Sequence, residues 1–160
     1  MGKCNLMEKI NVIGLTSPVD TTSTTVNSDV INMGKYPRVD FLVYLGTITG
    51  DTAVITLEEC DDVTPSNSTA IAFNYRESAA TGTSDLWGSI TAATSSGVTA
   101  SAADDDHIFC ISVDASELAD GYPYARIVVD PGGSASACEV AILALADGRN
   151  KQNIPITALT

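Results

Sequence analysis

A chain of 160 residues, 44% hydrophobic and 18% charged, is long enough for one domain with a proper core and too apolar to be disordered. Its net charge of −12 argues against a sequence-independent nucleic-acid binder, which needs a basic face to release counterions from phosphates. No apolar run approaches the about 18 residues needed to span a bilayer.

The charge is unevenly placed. Residues 1–40 balance Lys3, Lys9, Lys35 and Arg38 against Glu8, Asp20, Asp29 and Asp40, so residues 41–160 carry the entire excess of acid. "MGKCNLMEKINVIGL" does not read as a signal peptide, because Glu8 and Lys9 interrupt what would have to be its apolar region. Leu6 stands where a myristoylation signal needs Ser or Thr. Synthesis in a cytoplasm is expected. Residues 1–35 read as an extended, neutral N-terminal arm, with a strand in the Thr-rich 20–33 stretch, and residues 149–160 as an extended tail around a β-domain over 36–148.

From residue 36 the pattern is period two, with turn formers between the runs. "YPRVDFLVYLGTIT" puts Val39, Phe41, Val43 and Leu45 on one face, and "DTAVITLEEC" does the same with Ala53, Ile55 and Leu57. The intervening "TGD" predicts that these two strands pair as a hairpin. "TAIAFNY" (Ile71, Phe73, Tyr75), "DLWGSITAA" (Leu86, Ile90) and "HIFCISVD" (Phe109, Ile111, Val113) continue the series, as do "ARIVVD" (Ile127, Val129) and "CEVAILALA" (Val140, Ile142, Ala144). No helical period of useful length competes, except a single turn at "ASEL". About eight short strands without crossover helices predict an all-β antiparallel β-sandwich or jelly roll.

Before the Ile127 strand, "LADGYPY" has the order of a sandwich corner: Leu118 plugs the core, Asp120-Gly121 turns, and Tyr122 or Tyr124 closes. "DPGG" at 130–133 predicts a hairpin between Ile127–Asp130 and Cys138–Leu145.

Candidates for chemistry are thin. His107 is the sole imidazole, and it stands beside three aspartates at the start of an apolar strand, which reads as a loop-edge His satisfied by a carboxylate. Asp104, Asp105 and Asp106 have the oxygen chemistry to hold Ca²⁺, with Glu58, Glu59, Asp61 and Asp62 available from another loop. Neither run has calcium-loop spacing, so solvated acidic loops are the default reading and no cofactor is assigned. Carboxylate pairs for a glycosidase are many, and nothing selects one. Trp87 reads as a core or interface anchor before it reads as a sugar platform. "DPGGSAS" lies between strands and offers no helix N-terminus to a phosphate. Cys4, Cys60, Cys110 and Cys138 are at least 28 residues apart in sequence, and read as small core hydrophobes, a Cys110–Cys138 bridge being the alternative.

An arm such as "INVIGLTSPVDTTSTTVNSD" is too short to bury its own apolar residues and is better stabilised on a neighbour. "DHIFCISVDASELADGYPYARIVVDPGGSASACEVAILALADGR", with the tail "NKQNIPITALT", resembles small structural proteins of tailed-bacteriophage virions, particularly capsid decoration (cement) proteins. The resemblance covers between a quarter and a third of the chain. It implies a non-enzymatic subunit on the capsid surface of a virion, bound to the major capsid protein and to itself as a dimer or trimer, with no nucleic-acid or membrane partner. The expected contacts are Lys3, Leu6, Lys9, Ile10, Val12, Ile13, Leu15, Lys35 and Arg38 in the arm and Ile154, Ile156 and Leu159 in the tail. The alternatives are a carbohydrate- or cell-surface-binding sandwich, a head–tail or tail subunit and, most distantly, a hydrolase using His107.

Overall fold

The computed structural model describes residues 10–21, 24–50, 52–132 and 137–147. These form two antiparallel sheets of six strands, which face each other across one core: an all-β sandwich. The first sheet runs, in spatial order, β1 (Ile10–Asp20), β12 (Ala137–Asp147), β4 (Arg38–Thr49), β10 (Ile108–Asp114), β7 (Phe73–Glu77) and β8 (Thr91–Ala93). The second is built on β11 (Tyr124–Pro131) and β5 (Ala53–Cys60). Outside β11 lie the short β2 (Val26–Asn27) and β3 (Ile31–Asn32); outside β5 lie β6 (Ser68–Ile71) and β9 (Val98–Ala100).

Period-two patterning places the core as expected. Val39, Phe41, Val43 and Leu45 of β4 face Ala53, Ile55 and Leu57 of β5, all fully buried. Phe109, Ile111 and Val113 join from β10, Ile127 and Val129 from β11, and Val140, Ile142 and Ala144 from β12. Phe73, Tyr75 and Phe109 stack in sequence, with ring centroids 6.3 and 6.1 Å apart.

Strand pairing departs from the sequence reading. β4 and β5 do not form a hairpin: β4 pairs with β10 and β12, and β5 with β11, so the turn after Thr49 carries the chain from one sheet to the other. The same holds for β11 and β12. Alternation tells which residues point inward, yet the inner faces of both sheets point at the same core and carry the same pattern. The switch between β6 and β7 takes only Ala72.

The N-terminal arm also needs correction. Residues 10–20 are β1, an edge strand paired with β12 from Ile10↔Asp147 to Asp20↔Glu139, and β2 and β3 edge the second sheet. Leu15 is 5% exposed, and Ile31 and Met33 are buried with it. Residues 10–21 and 24–33 are therefore part of the sandwich, and the domain boundary expected near residue 35 is not one. Thr21 ties this segment down: its hydroxyl accepts from the Cys138 N–H at 2.9 Å, while its own N–H donates to the Cys138 carbonyl at 3.0 Å.

"DLWGSITAA" is likewise not one strand. Only Thr91–Ala93 belongs to a sheet, and Leu86, Trp87 and Ile90 lie in the preceding loop. Trp87 makes only an isolated antiparallel bridge to Ser78, closed by the Gly88 N–H on the Glu77 carbonyl at 2.8 Å and the Ala79 N–H on the Leu86 carbonyl at 3.2 Å.

The 114–124 corner matches its reading in part. Ala115–Glu117 is a single 3-10 turn, Leu118 packs on the core, and Gly121 takes a φ of 91°. Among the described residues, however, no hydroxyl of Tyr122 or Tyr124 closes the corner. That role falls to Glu59, whose carboxylate accepts from the Ala119 N–H.

Candidate functional site

The residues expected to contact a partner fall into three groups. Lys3, Leu6, Lys9, Ile154, Ile156 and Leu159 lie outside the described residues. Leu15 is core and offers nothing to a partner, while Ile10 and Ile13 are half-buried along β1. Val12, 57% exposed, does face outward, and Lys35 and Arg38 are exposed. Arg38 lies 3.6 Å from Asp40 in an exposed pair, so its charge is locally offset.

Beside Val63 between β5 and β6 and the pair Tyr44 and Leu143 on the first sheet, exposed apolar side chains gather in two further places. On β1 they are Val12 and Val19, on a strand that has a neighbour on one side only. In the 79–90 loop they are Leu86, 73% exposed, with Ile90 and the half-exposed Trp87. Asp85 is the one charged residue between Glu77 and Asp104, so this loop combines apolar side chains with depleted charge. The signal was present in the sequence as "SDLWGSI", but assigning the segment to a strand hid it.

The acidic runs are used up one side chain at a time. Asp104 caps the 3-10 turn Ala102–Asp104, its Oδ2 accepting from the Ser101 N–H at 2.8 Å. Asp105 accepts from the Ile48 N–H at 2.7 Å, and Asp106 sits in the left-handed region at φ 61°. The three aspartates thus diverge, and no Ca²⁺ cage forms from them. Glu58 pairs with Arg126 at 2.8 Å, and Asp62 caps Val63. Asp61 organises its loop: the Asn67 side chain, the Asn67 N–H and the Ser66 hydroxyl all donate to it and hold its carboxyl far below the usual carboxylate range.

His107 does meet a carboxylate, but it is that of Glu77 on β7, with Nδ1 and Oε1 2.6 Å apart. The register that pairs Phe109 with Glu77 brings them together across 30 residues of sequence. Asp104 completes a group in which one ligand atom from each residue lies within 4.8 Å of the others. Among the described contacts no hydroxyl or thiol nucleophile touches His107, so the geometry holds an imidazole and orients it without giving it a proton to take from a nucleophile.

Cys60, Cys110 and Cys138 are free thiols, and the alternative Cys110–Cys138 bridge is not formed. Burial pushes Cys60 and Cys138 up to about 11 and raises Cys110 as well, which makes poor nucleophiles of all three. An open cavity of ≈ 250 Å³ beside the 115–123 corner, lined by Met33, Leu118 and Pro123 among others, contains no residue suited to catalysis beyond Asp120 and Tyr122. No described helix is long and apolar enough to cross a membrane.

Comparison with family models, with curated proteins and with solved structures finds no match to this chain.

Proposed function

We propose that the protein is a non-enzymatic structural subunit of a phage virion, a decoration protein that binds across boundaries between major capsid protein subunits and stabilises the shell. The observation that carries the reading is β1: an 11-residue edge strand with no second strand partner among the described residues, its Leu15 carbonyl accepting from the Asp29 N–H, bearing exposed Val12 and Val19 and led into by the Lys-containing residues 1–9. Such an edge offers unpaired backbone groups and apolar side chains to an extended segment of a partner. The resemblance of residues 106–160 to decoration proteins supports the same reading.

Binding would rest on many weak contacts, added together by repetition over the shell. Basic Lys3, Lys9 and Lys35 would meet acidic capsid surface, since the remainder of the chain is itself strongly acidic. Self-association as a dimer or trimer and placement on the capsid surface belong to this proposal.

The test is cosedimentation with preformed shells of a cognate phage. Because residues 10–21 and 24–33 are structural, the informative deletions are 1–9 and 149–160, together with Val12→Asp on the outer face of β1. Saturable binding that these changes weaken supports the reading. Absence of binding by the full chain overturns it.

A second reading is favoured by one observation. Trp87, exposed beside Leu86, offers a face to a sugar ring, and glycan binding lost in Trp87→Ala would select it.

A further inference from the structure

We propose that Glu77, Asp104 and His107 form a binding site for one divalent transition cation of the zinc type, held at the point where the end of β7 meets the turn leading into β10. The site is independent of the shell-binding reading.

The donor set is the first reason. One imidazole nitrogen and two carboxylates suit Zn²⁺, Co²⁺ or Mn²⁺, whereas Ca²⁺ takes oxygen ligands. Asp104 and His107 come from one turn before β10 and Glu77 from the end of β7, and their ligand atoms already lie within 4.8 Å of one another. Around a cation with bonds of about 2.0–2.2 Å, adjacent ligand atoms stand about 3–3.5 Å apart. Small side-chain rotations close that difference.

Preorganisation is the second reason. Asp104 is held by the Ser101 cap through Oδ2, at 2.8 Å from the N–H and 3.2 Å from the hydroxyl, and its Oδ1 takes no part in that cap. The His107 carbonyl accepts from the Leu45 N–H at 3.0 Å. One residue further along each strand, the Ser78 N–H donates to the Ile108 carbonyl at 2.9 Å and the Ile108 N–H donates to the Ser78 hydroxyl at 2.8 Å. The backbones of Glu77 and His107 are therefore fixed to each other before any ligand arrives, so little ordering entropy opposes binding.

The third reason is how the imidazole is placed. Its side chain is 16% exposed, and that of Glu77 33%, so the group sits in a partly desolvated cleft that an ion can still reach. His107 Nδ1 and Glu77 Oε1 lie 2.6 Å apart, so both donor atoms already face the same point. A cation bound at Nδ1 leaves the ring proton on Nε2. Two carboxylates and a neutral imidazole then balance the charge of the divalent ion, and water completes its coordination.

The experiment is Co²⁺ titration of the full chain followed by visible absorption, with Zn²⁺ competition and thermal unfolding alongside. The expected result is one Co²⁺ per chain with a nitrogen- and oxygen-ligand spectrum, displaced by Zn²⁺. Affinity should fall by about tenfold or more in both His107→Gln and Glu77→Gln. Zn²⁺ should raise the Tm of the wild-type chain more than that of either variant, because a ligand that binds only the folded state stabilises it in proportion to its affinity. Should His107→Gln fail to fold, Glu77→Gln, which keeps an oxygen acceptor for the ring, carries the comparison. No Co²⁺ uptake at millimolar concentration, uptake unchanged in the variants, or an intense thiolate charge-transfer band would each overturn the proposal.

Discussion

The carboxylate of Glu59, 6% exposed on β5, accepts the backbone N–H of Ala119 at 2.7 Å and so fastens the 114–124 corner to the second sheet. A tyrosine hydroxyl does this work in many sandwich corners; here a strand carboxylate reaches the corner from beneath it. Glu59→Leu would remove the acceptor from a part-buried bond to the exposed Ala119, a loss of about 0.5–1.5 kcal/mol. Glu59→Gln keeps an amide oxygen in the same place and should retain most of the stability. Urea unfolding at neutral pH separates the two, and equal stability of the Leu and Gln variants would mean that the bond contributes nothing.

Leu15 and Val12 lie three residues apart on β1 and should behave as opposites. Leu15→Ala removes a side chain packed among buried core residues and should cost about 2–5 kcal/mol. Val12→Ala, on the exposed side, should change stability by no more than about 0.5 kcal/mol. An arm that merely lay against a neighbour would make both substitutions silent in the isolated chain. Chemical denaturation of the two variants decides between these.

The difference between Leu15 and Val12 also explains what the sequence could and could not disclose. The inward faces of β4, β5, β10, β11 and β12 were legible because each carries a long alternating run, as in Val39, Phe41, Val43 and Leu45. β1 was not, because Ile10 and Val12 alternate onto the opposite face from Ile13, and the register against β12 shifts after Gly14 and again after Thr16. Apolar residues on both faces, followed by bulges, make Ile10, Val12, Ile13 and Leu15 read as an unpatterned apolar arm. The Glu77–His107 contact was hidden for another reason. It depends on strand register, which alternation within a single strand does not encode.

Thiol chemistry gives a pH-dependent test. Cys60 and Cys138 stand at about 11 against an ordinary value of 9.0, raised by burial, so their protons are held more tightly in the folded chain than in the unfolded one. Folding stability from this source is therefore complete below pH about 9 and is lost as pH rises towards about 11. Equilibrium unfolding across that window should show a falling free energy, with a shallower slope in Cys60→Ala. In a Cys4→Ser background, alkylation at pH 8 should be slow until denaturant opens the sandwich; rapid labelling of Cys60 or Cys138 in the native state would contradict their burial.

Gly97 and Gly82 separate backbone strain from steric exclusion. Both take positive φ, +82° and +79°, in turns of the segment between β7 and β10. A Cβ at Gly82 would meet nothing within 4 Å, so Gly82→Ala should cost only the left-handed conformation, about 1–2 kcal/mol. A Cβ at Gly97 would stand 2.4 Å from the Ile55 carbonyl oxygen and 2.7 Å from the Thr56 methyl. Those atoms belong to β5, which is paired on both sides and has no room to retreat. Gly97→Ala should therefore cost the same strain and, in addition, about 1–3 kcal/mol of overpacking. Thermal unfolding of the two variants measures the difference. Equal losses would mean that β9 swings away from β5 at little cost; a larger loss at Gly97 would establish that this short strand is held firmly against the second sheet.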